Sequence, residues 1–299
     1  MSLRRRAELL LFSITVIWGS TFVITKGLLE ENSPFFYSGI RFTIAALIVF
    51  LLFPRRCLNV PAQTLRHGAV LGLLLYAGFI LQTVGIRLTT ASKAAFFTGM
   101  LVPLTPLVHF AAQRIFHTTR RRLTLGNILG VGLAAFGLYL LTSPAGSELN
   151  SGDALNLACA FFFAAFIVYL DAVPADTDKL QLTFIQFLSC GAAGLLCALP
   201  AEKITVSIST ASVSSFAYLT VFATVITMWI QNRFQSDTTP TRAAVIFAVE
   251  PVVAAICGYV FRGELLGEVG VIGAAVIFAG LLLSELSEGV PVLKKIFGG

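Results

Sequence analysis

Charge is what this sequence is short of. Asp, Glu, Lys and Arg make up only 12% of the 299 residues, against roughly a quarter in a soluble domain, which needs them to wet its surface. With 57% hydrophobic residues and a mean hydropathy of +0.87, the chain suits lipid rather than water. Cysteine (5) and histidine (3) are also few, and their placement excludes several chemistries. Cys159, Cys190, Cys197 and Cys257 lie in apolar runs, where cysteine behaves as a small hydrophobe, and Cys57 sits in a short connection. There is no CxxC and no His/Cys spacing suited to a metal. His67, His109 and His117 are scattered. With no HExxH, no paired intramembrane aspartates and no nucleophile motif, a membrane-embedded enzyme is not expected. A Walker A sequence is missing too, so direct use of ATP is not expected, and no cofactor is implied.

What is there is a succession of apolar runs of about 18 residues or more. They fall at 7–29, 34–53, 68–88, 93–116, 124–142, 152–170, 179–199, 214–235, 241–261 and 267–284, which predicts an all-α membrane protein of ten transmembrane helices. Turn chemistry agrees, since Ser33-Pro34, Pro54, Pro61, Ser143-Pro144, Pro174, Pro200 and Pro240 mark the expected ends. The first run, after Arg4-Arg5-Arg6, is too long for the apolar part of a signal peptide and is expected to remain as the first span. A formal charge of +6 and a pI of 9.2 do not point to nucleic acid, because the basic residues sit in short clusters between apolar runs. That is the pattern that orients spans. With the N-terminus inside, fifteen of the 21 Lys and Arg fall in cytoplasmic segments, five fall outside, and Arg41 lies within a span. Both termini are therefore expected in the cytoplasm.

The halves resemble each other. Ser33-Pro34 to Phe42 leads into the second span as Asp178-Lys179 to Phe187 leads into the seventh. At that offset Arg41 falls on Gln186, Trp18 on Phe163 and Gly19 on Ala164. Thr90-Ala91-Ser92-Lys93-Ala94-Ala95 returns as Thr239-Pro240-Thr241-Arg242-Ala243-Ala244, and Gly130 and Gly137 match Gly273 and Gly280. Five spans per half is an odd number, so the second half must enter the membrane the other way up. That makes two five-helix inverted repeats, an architecture in which one half rocks against the other about a midplane site.

Trp18-Gly19-Ser20, Arg41-Phe42, Ala94-Ala95-Phe96, Pro103 and Pro106, and Arg242-Ala243-Ala244 through Glu250-Pro251 to Gly263-Glu264 together resemble the EamA-type family of the drug/metabolite transporter superfamily. The resemblance spans the chain as two units at 8–142 and 152–284. It implies a bacterial inner-membrane transporter of small molecules, often an exporter, with a central cavity between the halves. Substrates in the family are varied, so amino acids or related metabolites stand beside nucleotides or sugars here. A channel or scaffold is the remaining alternative.

Polar residues at depth are the candidates for chemistry. Glu250 lies about ten residues, or roughly 15 Å, into the ninth span, where an ionisable group is costly unless paired or hydrated. It serves function, such as carrying a proton, or structure at the Pro251 break. Arg41 clamps a substrate carboxylate, snorkels outward or pairs with Glu250. Gln82 and Arg41 lie above the midplane, Gln231 and Gln186 below it, which suits stepwise solvation of a solute or plain interhelical hydrogen bonding. Trp18, Tyr76 and Trp229 form cavity walls or core. Pro103, Pro106 and Pro251 are gating hinges or fixed kinks. Gly126, Gly130, Gly132, Gly137, Gly270, Gly273 and Gly280 offer close helix packing, within the monomer or at a homodimer contact.

Overall fold

A computed structural model describes residues 3–116, 125–142, 149–238, 243, 246–247, 249–265 and 267–289. Pro144, Arg120 to Arg122, the 239–242 stretch, Ala244, Lys294 and Lys295 lie outside the described residues. In lipid a helix satisfies all its backbone groups within one segment, and the described elements are all helical. They are α1 (Leu3–Leu28), α2 (Pro34–Leu52), α3 (Pro54–Leu58), α4 (Ala62–Leu88), α5 (Ala91–Gly99), α6 (Leu101–Phe116) and α7 (Leu125–Thr142). They continue with α8 (Ser151–Asp171), α9 (Lys179–Ala201), α10 (Thr210–Thr220), a π-helical stretch (Val221–Ile226), α11 (Thr227–Phe234), α12 (Glu250–Arg262) and α13 (Glu268–Gly289). Among the described residues, seven helical stretches are long and apolar enough to cross a membrane.

Proline marks several starts. Pro34 and Pro54 stand in the first turns of α2 and α3, where their missing N–H is one the helix leaves unbonded anyway. The connection at 54–67 is largely helical, because α3 occupies its first five residues and α4 already starts at Ala62. On the opposite face, two glutamates cap helices from a distance. Glu202 accepts from the backbone N–H of Phe36 at 2.7 Å and of Phe35 at 3.2 Å, at the start of α2. Glu264 accepts from Ala91 and Ser92, both at 2.9 Å, at the start of α5. Each carboxylate thus satisfies helix N-terminal donors and meets the positive end of the dipole.

The packing is largely glycine-mediated. A Cβ on Gly137 would sit 2.6 Å from the Gly273 carbonyl, and one on Gly280 would sit 2.7 Å from that of Gly130. The small residues of α7 and α13 therefore bring those two helices into direct backbone contact within the monomer. The contact is reciprocal: each glycine meets the repeat counterpart of the other's partner, as at a two-fold axis. Phe42 likewise touches Phe187, the residue that matches it in the sequence repeat, with ring centroids 6.0 Å apart. Helix α2 lies along α9 in the same manner, with Gly39 against the backbone of Leu195 and Gly191 against Thr43.

Candidate functional site

Two helix breaks meet at the centre. After α5 ends at Gly99, Met100 forms a turn and α6 starts at Leu101; Pro103, in the first turn of α6, cannot donate the bond that would continue α5. Pro251 likewise stands in the first turn of α12, directly after Glu250. The breaks touch, since a Cβ on Gly99 would lie 2.8 Å from Pro251 Cγ. Pro106 sits inside α6. Helix α1 closes on this point through Gly19, whose added Cβ would come 2.9 Å from the Glu250 carbonyl oxygen.

Beside the breaks lies a cavity of about 60 Å³, room for only a few waters. Trp18, Arg41, Gln82, Gln231 and Glu250 all line it, so five of the eight residues named from the sequence converge. The other three lie elsewhere. Gln186 is fully buried and accepts from Asn232 Nδ2 at 2.8 Å. Tyr76 packs against the main apolar core. Trp229, 43% exposed, faces a separate groove beside α2 and α9.

Arg41 is buried, and its hydrogen bonds run to residues behind the cavity lining. Its Nε donates to Thr224 Oγ1 at 2.7 Å, one terminal nitrogen to Tyr37 Oη at 3.1 Å and the other to the Ala223 carbonyl at 3.4 Å. Its guanidinium lies 5.2 Å from the Phe79 ring centroid, a cation–π contact. The π-helical stretch supplies both Thr224 and Ala223. Its wider turn lets Thr224 Oγ1 donate to Leu219 O at 2.8 Å while accepting from Arg41. Trp18 Nε1 donates to Thr227 Oγ1 at 3.0 Å and to the same Ala223 carbonyl at 3.3 Å. Such π segments concentrate at functional sites. No signal in the sequence pointed to it beyond Thr220, Thr224 and Thr227 recurring along one face of an apolar run.

Glu250, at the start of α12, has no hydrogen bond or ion pair among the described residues. An arginine, Arg41, and a carboxyl side chain, Glu250, therefore border one small cavity, and no ion pair within 4.0 Å joins them among the described residues. The remaining wall is aromatic and apolar, including Phe163, Phe247 and Met228. Phe163, the repeat counterpart of Trp18, could have been found from the repeat alone. Thr21 and Thr98 add hydroxyls, and Gln82 Nε2 reaches Thr98 Oγ1 at 3.4 Å.

The EamA-like transporter family pattern matches this chain twice, at residues 5–143 and 150–286. The chain belongs to the EamA-like transporter family. This EamA-like protein is 31% identical over 286 residues to an uncharacterized transporter of Archaeoglobus fulgidus, across 95% of this chain and 87% of that one. It is 26% identical to the uncharacterized inner membrane transporter YedA of Escherichia coli K12, across 93% and 90% of the two chains. It is also 25% identical to an S-adenosylmethionine/S-adenosylhomocysteine transporter of Chlamydia muridarum, across 86% and 85%. A crystal structure at 19% identity superposes with a TM-score of 0.69 over 98% of this chain and 99% of its own, a likeness of fold alone. This EamA-like chain is thus a multi-pass membrane transporter of the drug/metabolite transporter superfamily and not an enzyme.

Proposed function

We propose that this transporter exports small zwitterionic metabolites, amino acids or related compounds, by alternating access around the central cavity. The observation that carries the proposal is the arginine and the carboxyl group that line one cavity. Arg41 suits a carboxylate through its fork, and Glu250 suits an ammonium. The aromatic wall at Trp18 accommodates an apolar side chain. The S-adenosylmethionine/S-adenosylhomocysteine transporter relative fits the same idea, because those compounds carry an amino acid head group.

The architecture in this proposal is ten transmembrane helices in inverted repeats at 8–142 and 152–284, both termini cytoplasmic, in a bacterial inner membrane. The seven long stretches are joined in it by α7, α12 and α13. Support comes from the reciprocal glycine contacts of α7 and α13 and from the repeat pair Phe42 and Phe187. Pro103, Pro106 and Pro251 act as the hinges, since the two touching breaks are where a span can bend without losing an intact hydrogen-bond ladder. The constricted cavity belongs to a closed state that must open to admit substrate.

Proteoliposomes preloaded with single amino acids, with and without a pH gradient, test this. Saturable exchange of a zwitterionic solute that is lost in Arg41→Ala supports the proposal; exchange of sugars alone would reject it. Glu250→Gln should abolish the response to a pH gradient, and unchanged coupling rejects Glu250 as the proton carrier. Sustained unitary currents in a planar bilayer would instead indicate a channel.

A further inference from the structure

A cleft of about 310 Å³ opens between the end of α1, the start of α2 and α10, with Phe36, Ile40, Val213 and Phe216 among its walls. Its mouth is framed by fixed backbone. Ser33 Oγ donates to the Lys203 carbonyl at 2.9 Å and accepts from the Thr205 N–H at 2.7 Å. Asn32 Oδ1 accepts from the Ser207 N–H at 2.9 Å. These bonds tie the connection before α10 to the start of α2. In the proposed topology the mouth faces out of the cell.

Tyr37 stands between this cleft and the central cavity. It lines the cleft, while Arg41, one turn or about 6 Å further along α2, lines the cavity. Tyr37 is only 3% exposed. It packs with Leu28, Leu219 and Ala223 in a small apolar cluster separate from the main core, and its ring meets that of Phe216 edge-on, centroids 6.0 Å apart. Its hydroxyl accepts from Arg41 at 3.1 Å. Few apolar contacts mark the parts of a fold that open most readily, and this cluster is far smaller than the core. Tyrosine also suits the place, since it joins a large apolar ring to a polar tip that needs a partner when buried.

We propose that Tyr37 is the outer gate of the transporter: its ring plugs the passage from the central cavity to the cleft, and its hydroxyl, bonded to Arg41, latches it shut. Such a gate rests on the alternating-access reading given above, but its test needs no identified substrate. A guanidinium donor makes the latch a strong one, and it is broken when the ring swings aside. That movement joins the two spaces while α4 stays closed on α9 at Gly68 and Gly72. One end then opens with the other shut, as alternating access requires.

Thiol accessibility in the full-length protein tests this. Thr21→Cys puts a thiol on the cavity lining. A membrane-impermeant methanethiosulfonate is added to right-side-out and to inside-out vesicles, and labelling at position 21 is read by peptide mass spectrometry, apart from the native cysteines. In that background Tyr37→Ala should speed labelling from the outer face roughly tenfold, the scale of one hydrogen bond to a charged group. Tyr37→Phe should speed it less, because the ring stays while the latch is lost. Val213→Trp, which narrows the cleft, should slow it several-fold. An unchanged rate in Tyr37→Ala, or an equal rise from both faces, overturns the gate. An unchanged rate in Tyr37→Phe overturns the latch, and one in Val213→Trp overturns the route. If Tyr37→Ala does not fold, the other two variants still decide. A rise from the cytoplasmic face alone keeps the gate and rejects the proposed orientation, whereas a solute screen without a zwitterion rejects the substrate reading and leaves these rates untouched.

Discussion

Arg41 combines burial with three donors that all end on protein acceptors, two of them on the π-helical stretch. A lysine there keeps the charge but is a single point with no fork. Arg41→Lys should therefore raise the KM for a carboxylate substrate about tenfold, equivalent to roughly 1.4 kcal/mol, which concentration-dependent exchange kinetics will read. Thr224→Val removes the acceptor of Arg41 Nε and leaves a buried donor without it. The expected cost is about 1–3 kcal/mol, seen as a lower unfolding midpoint in detergent. Arg41 and Glu250 were legible in the sequence because an ionisable residue inside an apolar run stands out. Thr224 and Thr98 were not, since a threonine in a span ordinarily bonds its own helix and carries no mark of a longer-range partner. Gln186 was marked by the repeat, but Asn232 Nδ2 holds its carbonyl in the core, a partner that no spacing rule announces.

At the scale of elements, glycine and glutamate make the joints. Replacing Gly137 with leucine would drive a side chain into the backbone of Gly273 and Ile277. Overpacking of this kind costs about 1–3 kcal/mol, and helix separation between α7 and α13 should appear as a lower unfolding midpoint. Glu264 bonds two backbone N–H groups and the Ser92 hydroxyl at 2.7 Å. Glu264→Ala should cost about 1–2 kcal/mol as a lost N-terminal cap, measured in the same way, whereas Glu268→Ala, at the exposed start of α13, should cost less. The close contact at Gly130, Gly137, Gly273 and Gly280 was readable from the small residues, whereas Gly132, named with them, has nothing within 4 Å of an added Cβ. The proline breaks were readable as interruptions, but not that Gly99 and Pro251 would bring them together, because that contact joins residues far apart in the chain.

For the whole molecule, one end is sealed more tightly than its counterpart. Helix α4 lies directly on α9 through Gly68 and Gly72, the latter with an added Cβ 2.6 Å from the Gln186 carbonyl. The matching positions of the repeat, Ala217 and Val221, carry side chains, and α10 stands off α2 to leave a cleft lined by Phe36 and Phe216. Spin labels at Arg66→Cys and Thr177→Cys should report a single short distance at rest and a second, longer one once exchange substrate is added. A pH effect belongs to the same corner. Burial pushes the Asp178 carboxyl up, but Arg56 and the Leu180 and Gln181 N–H groups outweigh it and hold it below the usual carboxylate range. A depressed folded-state pKa stabilises above the unfolded value, near 4, and is lost as pH falls through the folded one. The wild type should thus lose stability in acid below about pH 4, while Asp178→Asn, followed by thermal unfolding across pH, should lose less there. The succession of apolar helices was in the rhythm of the chain; which interface packs tightly was not, because both are built from similar residues.

Phe42 resting on Phe187 has a consequence for how the protein is put together. A residue that touches its own counterpart belongs to a surface that recognises itself, so each half carries most of what it needs to find the other. Severing the chain within 143–148 and co-expressing the two pieces should then yield an assembled, working transporter. A substitution at this pair, copied into both halves, would be felt twice at a single contact.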